Sequence, residues 1–322
     1  MNEIKKYLSL IKFSHTVFAL PFAVIGFFLA AFSGDAHFSV IKFILVLGCM
    51  VFARSAAMAF NRYIDRTFDA KNPRTAIREI PSGQIRPESV LGLTVASAAL
   101  FMICAFFINK LCFFLSPVAL AVILGYSLTK RFTPLCHLVL GLGLSLAPIG
   151  AYLAITEKFA LLPLLFSFIV FLWVSGFDII YALQDEEFDR ENQLKSIPVL
   201  MGKKGALRLS EFMHLLSAAG VAFAYVFGSF GIYYVIGAAI FVGLLIYQHL
   251  IVKPHDLSRV NLAFGTTNGI ASVIFGVFVC VDCLWKFETS VCHATHCIPF
   301  GRIAWNFSKD AAEGTDCGAF DI

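Results

Sequence analysis

The chain has 322 residues, 59% of them hydrophobic and only 14% charged, with a mean hydropathy of +0.81. A water-soluble domain carries roughly 25% charged residues, so the composition excludes an ordinary soluble globule and makes lipid the main solvent. The formal net charge of +4 is too small to point to nucleic acid, and no such partner is expected.

A bilayer-spanning helix needs about 20 mostly apolar residues. Nine stretches qualify: 17–33, 40–60, 89–108, 111–128, 135–154, 159–181, 211–228, 230–252 and 262–283. The first follows a basic start, but its apolar run is long and has no small-residue cleavage site, so it reads as a retained span. Asn109 and Lys110 alone separate spans three and four, and "GSFG" alone separates seven and eight. Both joints are expected to be tight helical hairpins, because open irregular backbone is not tolerated in lipid.

The loops alternate in charge. One side collects eighteen basic residues, among them Lys5, Lys6, Arg62, Arg74, Arg78, Lys130, Arg131, Lys195 and Lys203, against Lys42, Lys110 and Lys158 opposite. Excess Lys and Arg mark the cytoplasmic side. The N-terminus is therefore expected inside and, with nine spans, the C-terminus outside. The nine cysteines are scattered; those in apolar stretches read as small hydrophobes, not as a disulfide framework.

Two acidic motifs break the apolar pattern. The first, "NRYIDRTFDAKNPRTAIREIPSG", places Asn61, Asp65 and Asp69 four residues apart at the end of the second span. The second, "DIIYALQDEEFDRE", places Asp178, Tyr181, Asp185 and Asp189 at i, i+3, i+7 and i+11. Either spacing lines one face of a helix. Ionisable groups at a membrane helix are costly and presumptively functional. Five converging aspartates would repel one another unless cations sat among them. All-oxygen ligation suits a hard cation such as Mg²⁺, which is often shared with substrate phosphates. The nearby Arg and Lys residues match phosphate oxygens. The chemistry reads as a metal-bridged diphosphate at the cytoplasmic mouth of an apolar cavity, and a diphosphate with a long apolar tail is a polyprenyl diphosphate.

These residues resemble the UbiA superfamily of intramembrane aromatic prenyltransferases. N-x-x-x-D-x-x-x-D matches at Asn61, Asp65 and Asp69, and D-x-x-Y-x-x-x-D-x-x-x-D at Asp178, Tyr181, Asp185 and Asp189. "YSLTKRF" matches Y-x-x-x-K-R at Tyr126, Lys130 and Arg131, and "RTAIREIPSG" looks like the family's arginine-rich turn. The resemblance covers about residues 5–283 and is strongest to 4-hydroxybenzoate polyprenyltransferases and their MqnP-like relatives, which use a dihydroxynaphthoate. Glu79 stands where the 4-hydroxybenzoate enzymes commonly carry proline, so the acceptor stays open between the two.

The resemblance implies an all-α integral membrane protein: nine transmembrane helices around a central apolar cavity opening to the cytoplasmic side. It implies that Asp65, Asp69, Asp185 and Asp189 hold Mg²⁺ against the diphosphate, with Asn61 and Asp178 assisting. Lys130, Arg74 and Arg78 would donate to phosphate oxygens, Arg131 would anchor the acceptor's carboxylate, and Tyr126 and Tyr181 would stack on substrate or orient carboxylates. Partners are a polyprenyl diphosphate, a small aromatic acceptor and the bilayer. Asp178 and Asp185 both remain open as the general base. A transporter would place its acids near the midplane on broken helices, which this pattern does not. His15 and His137 near span ends read as interfacial residues.

Two units are expected: residues 1–283 as the catalytic domain, and residues 284–322 as an irregular tail. Within the tail "CHATHC" crowds Cys292, His293, His296 and Cys297 into six residues, too tight for the two spaced ligand pairs of a zinc site. Truncation after Lys286 is expected to leave activity intact.

Overall fold

A computed structural model describes residues 3–11, 18–32 and 38–295, with side-chain surroundings from Lys5 to Thr289 within them. His15 and the segment 296–322 lie outside the described residues, and so do the side chains of the "CHATHC" cluster.

The described chain is helical apart from one isolated bridge between Lys253 and Asp256. In order come α1 (Glu3–Leu10), α2 (Leu20–Ala31), α3 (Val40–Ile64), α4 (Arg66–Lys71), α5 (Pro87–Ile108), α6 (Lys110–Thr129), α7 (Cys136–Thr156), α8 (Leu161–Ala182), α9 (Glu186–Glu191), α10 (Ile197–Phe227), α11 (Ile232–Ile251) and α12 (Asn268–Thr295). Among the described residues eight helices, not the expected nine, are long and apolar enough to cross a membrane. The shortfall is α2. Its 12 residues span about 18 Å at 1.5 Å per residue, less than a hydrocarbon core of about 30 Å. It is a mostly buried inner helix that packs against α7 and α12. Gly26 permits this: a Cβ there would lie 2.0 Å from the Pro148 carbonyl oxygen.

Both hairpins are as tight as expected. Asn109 caps α6 by accepting from Cys112 N at 2.8 Å, and its amide donates to the Leu153 and Ala154 carbonyls of α7. A single polar side chain thus satisfies helix ends that lipid would leave bare. The expected tail boundary at Cys283 is not a boundary, because α12 runs on to Thr295. Asp282 accepts from Gly231 N and Tyr234 N, Lys286 donates to the Gly228 and Ser229 carbonyls, and Phe287 stacks edge-on against Phe32. These contacts hold the extra turns of helix in place.

α8 is the axis of the bundle, packed on α7 and α10. Small residues let the helices close in, as in membrane bundles generally: Gly141 lies against Ser175 and Gly176 against His214. The inner core is aromatic, with Phe22, Phe166, Trp173, Phe177, Tyr234, Phe241 and Phe275 all buried. The outer faces of α5, α6 and α10 expose Phe106, Phe107, Phe114, Phe212 and Leu215, an apolar exterior that fits lipid and not water. At one end the polar loops are tied together. Lys195 N donates to the Lys130 carbonyl, Arg131 to the Ile64 carbonyl, and Ser9 on α1 to Glu79.

Candidate active site

A cavity of about 730 Å³ runs between α3, α5, α6, α7 and α8. Its walls are mostly aliphatic, with five phenylalanines (Phe18, Phe101, Phe159, Phe177 and Phe264). Most of the chain's 35 Phe therefore lie elsewhere. Polar groups gather at one end: Asn61, Arg62, Arg74, Arg78, Glu79, Asp178 and Tyr181, with Tyr126 and Arg54 on the same lining.

Each acidic motif sits on a broken helix, not on the continuous one that its spacing suggests. α3 ends at Asp65, whose φ of −90° and ψ of 3° turn the chain into α4. Asn61 Nδ2 donates to Asp65 Oδ2 at 2.9 Å across this break. Asp69 follows on α4, and Thr75 Oγ1 donates to its carbonyl at 3.0 Å, folding the arginine-rich loop back over the motif. Asn72 Oδ1 accepts from Arg74 N at 2.9 Å in the same turn. In the second motif Asp178 and Tyr181 are on α8, Asp185 closes a 3₁₀ turn (Leu183–Asp185), and Asp189 is on α9.

Four aspartates are matched one to one with cations. Asp65 Oδ1 lies 3.2 Å from Arg131 Nη2, Asp69 Oδ1 2.7 Å from Arg78 Nη1, Asp185 Oδ2 2.5 Å from Arg74 Nη2, and Asp189 Oδ1 2.7 Å from Lys130 Nζ. Arg74 is bidentate: its Nε also donates to Asp185 Oδ1 at 3.0 Å, and its Nη1 to Tyr181 Oη at 3.0 Å. Asn72 Nδ2 adds a bond to Asp185 Oδ1 at 3.1 Å. The first motif's loop thus clasps the second motif directly.

The electrostatics follow from this pairing. Burial pushes the Asp65 carboxyl above the usual range, and Arg131 opposes it only in part. Burial works against the charges on Arg74 and Lys130, but Asp185 and Asp189 outweigh it and hold both pKa values above their ordinary ones. The pairing also overturns the expected gathering of five aspartates. Among the described residues no three His, Cys, Asp or Glu side chains come together closely enough to hold one ion, because each aspartate is drawn to its own basic partner.

The donors nevertheless fit a hard cation. Asp69 Oδ2 and both Asp189 oxygens are buried and receive no aligned hydrogen bond from the protein. Carboxylate oxygens with unfilled hydrogen-bonding capacity on opposite motifs suit Mg²⁺, which takes one or two carboxylates together with phosphate oxygens.

Asn61, Arg74, Arg78, Tyr126, Asp178 and Tyr181 line the cavity. Asp65, Asp69, Asp185, Asp189, Lys130 and Arg131 do not; Asp185 meets the lining through Arg74, Asp69 through Arg78 and Asp65 through Asn61. Arg131 donates to Asp65 and the Ile64 carbonyl and is not on the cavity lining. Asp178 Oδ2 faces His137 Nδ1 at 2.7 Å. His137 is buried, not interfacial.

Sequence reasoning passed over Arg54, and it named Arg62 and Glu79 but not as residues of the site. Arg54 lines the cavity inside α3, and its Nε is buried with no partner. Its signal was available: an arginine deep within an apolar run, seven residues before Asn61 and so on the same face.

The family model for the UbiA prenyltransferase family matches residues 19–285. The 4-hydroxybenzoate octaprenyltransferase of Aeromonas salmonicida (strain A449) is 30% identical over 230 residues, 69% of this chain and 76% of that protein. Among solved structures, the apo structure of a UbiA homolog from Aeropyrum pernix K1 is 33% identical, with a TM-score of 0.76 over 83% of this chain and 98% of that one. A UbiA homolog from Archaeoglobus fulgidus bound to DMAPP and Mg²⁺ shares the fold at 22% identity, with a TM-score of 0.67 over 87% of this chain and 99% of that one. With a match over most of its length and eight membrane-length helices, the chain belongs to the UbiA prenyltransferase family and is an integral membrane prenyltransferase.

Proposed function

We propose that this enzyme transfers a polyprenyl group from a polyprenyl diphosphate to the ring of a small carboxylated aromatic acceptor in quinone biosynthesis, with Mg²⁺. The acceptor is 4-hydroxybenzoate or 1,4-dihydroxy-6-naphthoate. One observation carries the reading: a deep apolar cavity whose polar end meets two facing aspartate motifs, with an unpaired arginine inside. The octaprenyltransferase relatives and the Mg²⁺-bound homolog support it.

Asp65, Asp69, Asp185 and Asp189 would hold Mg²⁺. That ion supplies charge neutralisation to the departing diphosphate. Arg74, Arg78 and Lys130 each already face an aspartate, so a diphosphate entering between the motifs meets donors poised at the rim. Arg74 has the forked geometry that matches two phosphate oxygens. The apolar wall keeps water from the allylic cation, and the faces of Tyr126, Phe177 and Tyr181 stabilise its charge.

Arg54 takes the anchoring role first assigned to Arg131. A buried guanidinium N–H without a partner is costly, and an acceptor carboxylate would satisfy it. The basic loops at the mouth support a cytoplasmic side for that end and for the N-terminus, in a bacterial plasma membrane. On this reading α2 and α12 both run between the mouth end and the opposite face, and the C-terminal end of α12 lies outside.

The test uses membranes holding the protein, Mg²⁺ and a labelled polyprenyl diphosphate, with the two acceptors in parallel. A ring-prenylated product from one acceptor, with diphosphate released, is expected. No product from either, from folded protein, overturns the acceptor class, and uptake without diphosphate release would indicate a carrier.

A further inference from the structure

Ring prenylation ends with loss of a proton from the ring, and something must take it. Asp178 and Glu79 are the carboxylates on the cavity lining among the described residues. Glu79 accepts from Ser9 Oγ at 2.6 Å on the loop before α5. Asp185 is held by Arg74 and Asn72 through three donors and is not on the cavity lining.

Asp178 is placed differently. Its Oδ2 faces His137 Nδ1 at 2.7 Å. His137 Nε2 accepts from Ile197 N at 3.4 Å. A backbone N–H has no other role there, so the imidazole proton belongs on Nδ1, donated to Asp178. His137 is 3% exposed, in the first turn of α7, and Ile197 opens α10. The ring is therefore fixed at both nitrogens by two different helices. Asp178 Oδ1 receives no protein hydrogen bond among the described residues, and it sits on a lining that also includes Phe177, Tyr181 and Tyr126.

Resting on the ring-transfer reading above, we propose that Asp178 accepts the ring proton and that His137 is the positioning residue that holds it ready. The allylic C–O bond breaks and its electron pair leaves with the diphosphate. A ring π pair forms the new C–C bond. The ring C–H bond then breaks, its electrons restore the aromatic sextet, and the proton goes to Asp178 Oδ1. Through this His137 keeps its Nδ1–H on Oδ2, so that one oxygen is oriented and the other stays free. Such an arrangement of base and orienting partner raises efficiency by fixing geometry.

The test is steady-state kinetics on purified protein with ordinary and ring-deuterated acceptor. Asp178→Asn is expected to lower kcat by about 100- to 1,000-fold, the usual worth of a positioned base, with the KM for the prenyl diphosphate within about twofold of wild type. A primary deuterium isotope effect, small in the wild type, should appear in the variant as proton loss becomes limiting. His137→Ala should behave similarly. His137→Asn, which keeps an N–H toward Asp178, should recover most of the lost kcat; a purely volumetric role would not distinguish the two. A kcat for Asp178→Asn near wild type would overturn the proposal. So would a lost kcat with a raised diphosphate KM and no isotope effect, which would put Asp178 in the diphosphate site. No ring product from the wild type would overturn the functional reading, and the base with it.

Discussion

Asp65 keeps 28% of its side-chain surface exposed, whereas Asp189 keeps 1%. Both belong to motifs with the same four-residue rhythm, and both face a cation, yet the fold binds them differently. The first motif leans on Arg78, nine residues on, and on Arg131 at a long 3.2 Å. The second is clasped from afar: Arg74 lies 111 positions from Asp185, and Lys130 reaches Asp189 from the loop between α6 and α7. Both motifs tie in a loop distant in sequence, since Arg131 lies 66 positions from Asp65, but the first does so at the exposed rim and the second with a buried carboxylate. The same residue type is thus paired at the surface in one motif and in the interior in the other.

The largest expected effects treat the motifs as equals. Asp69→Ala and Asp185→Ala should each cut kcat by about 10²- to 10³-fold, the scale of losing one electrostatic stabiliser of a developing charge, measured by product formation at saturating substrates. Stability should separate them. Lys130→Met strands the buried Asp189 and should cost about 3–5 kcal/mol. Arg131→Met frees a half-exposed pair and should cost under about 1 kcal/mol. Equal unfolding shifts in detergent would erase the distinction between the motifs. Arg54→Met bears on the cavity alone: loss of a charge-assisted bond of about 1.5–3 kcal/mol should raise the acceptor KM roughly ten- to hundredfold and leave the diphosphate KM in place. The smallest effect is at the far end. Truncation after Lys286 removes the Phe32–Phe287 contact and should cost about 0.5–1.5 kcal/mol, with catalysis retained.

Much of this was legible in the chain. The spacing of Asn61, Asp65 and Asp69 and of Asp178, Asp185 and Asp189 located both motifs, because polar residues at helical intervals have few other reasons to end an apolar run. The hairpins at Asn109 and "GSFG" were readable because lipid permits little else. The breaks at Asp65 and Asp185 were not: a spacing of four reads the same through a 3₁₀ turn as along a helix. α2 is shorter than the span read from the sequence, because hydropathy marks an apolar run and not where the helix within it starts and stops. Arg54 was hidden by averaging, since one arginine barely lowers the hydropathy of α3. Which cation meets which aspartate depends on loops folding back, and no local pattern encodes that. The "CHATHC" cluster lies outside the described side chains.

The account's central claim is that the two motifs act as one clamp on one diphosphate. Its most direct test is equilibrium binding of a labelled polyprenyl diphosphate to purified wild type, Asp69→Ala and Asp185→Ala, with Mg²⁺ and with chelator. The account predicts Mg²⁺-dependent binding by the wild type that weakens strongly in either variant and on chelation. Unchanged affinity in one variant, with the other impaired, would contradict a shared clamp and assign the diphosphate to a single motif.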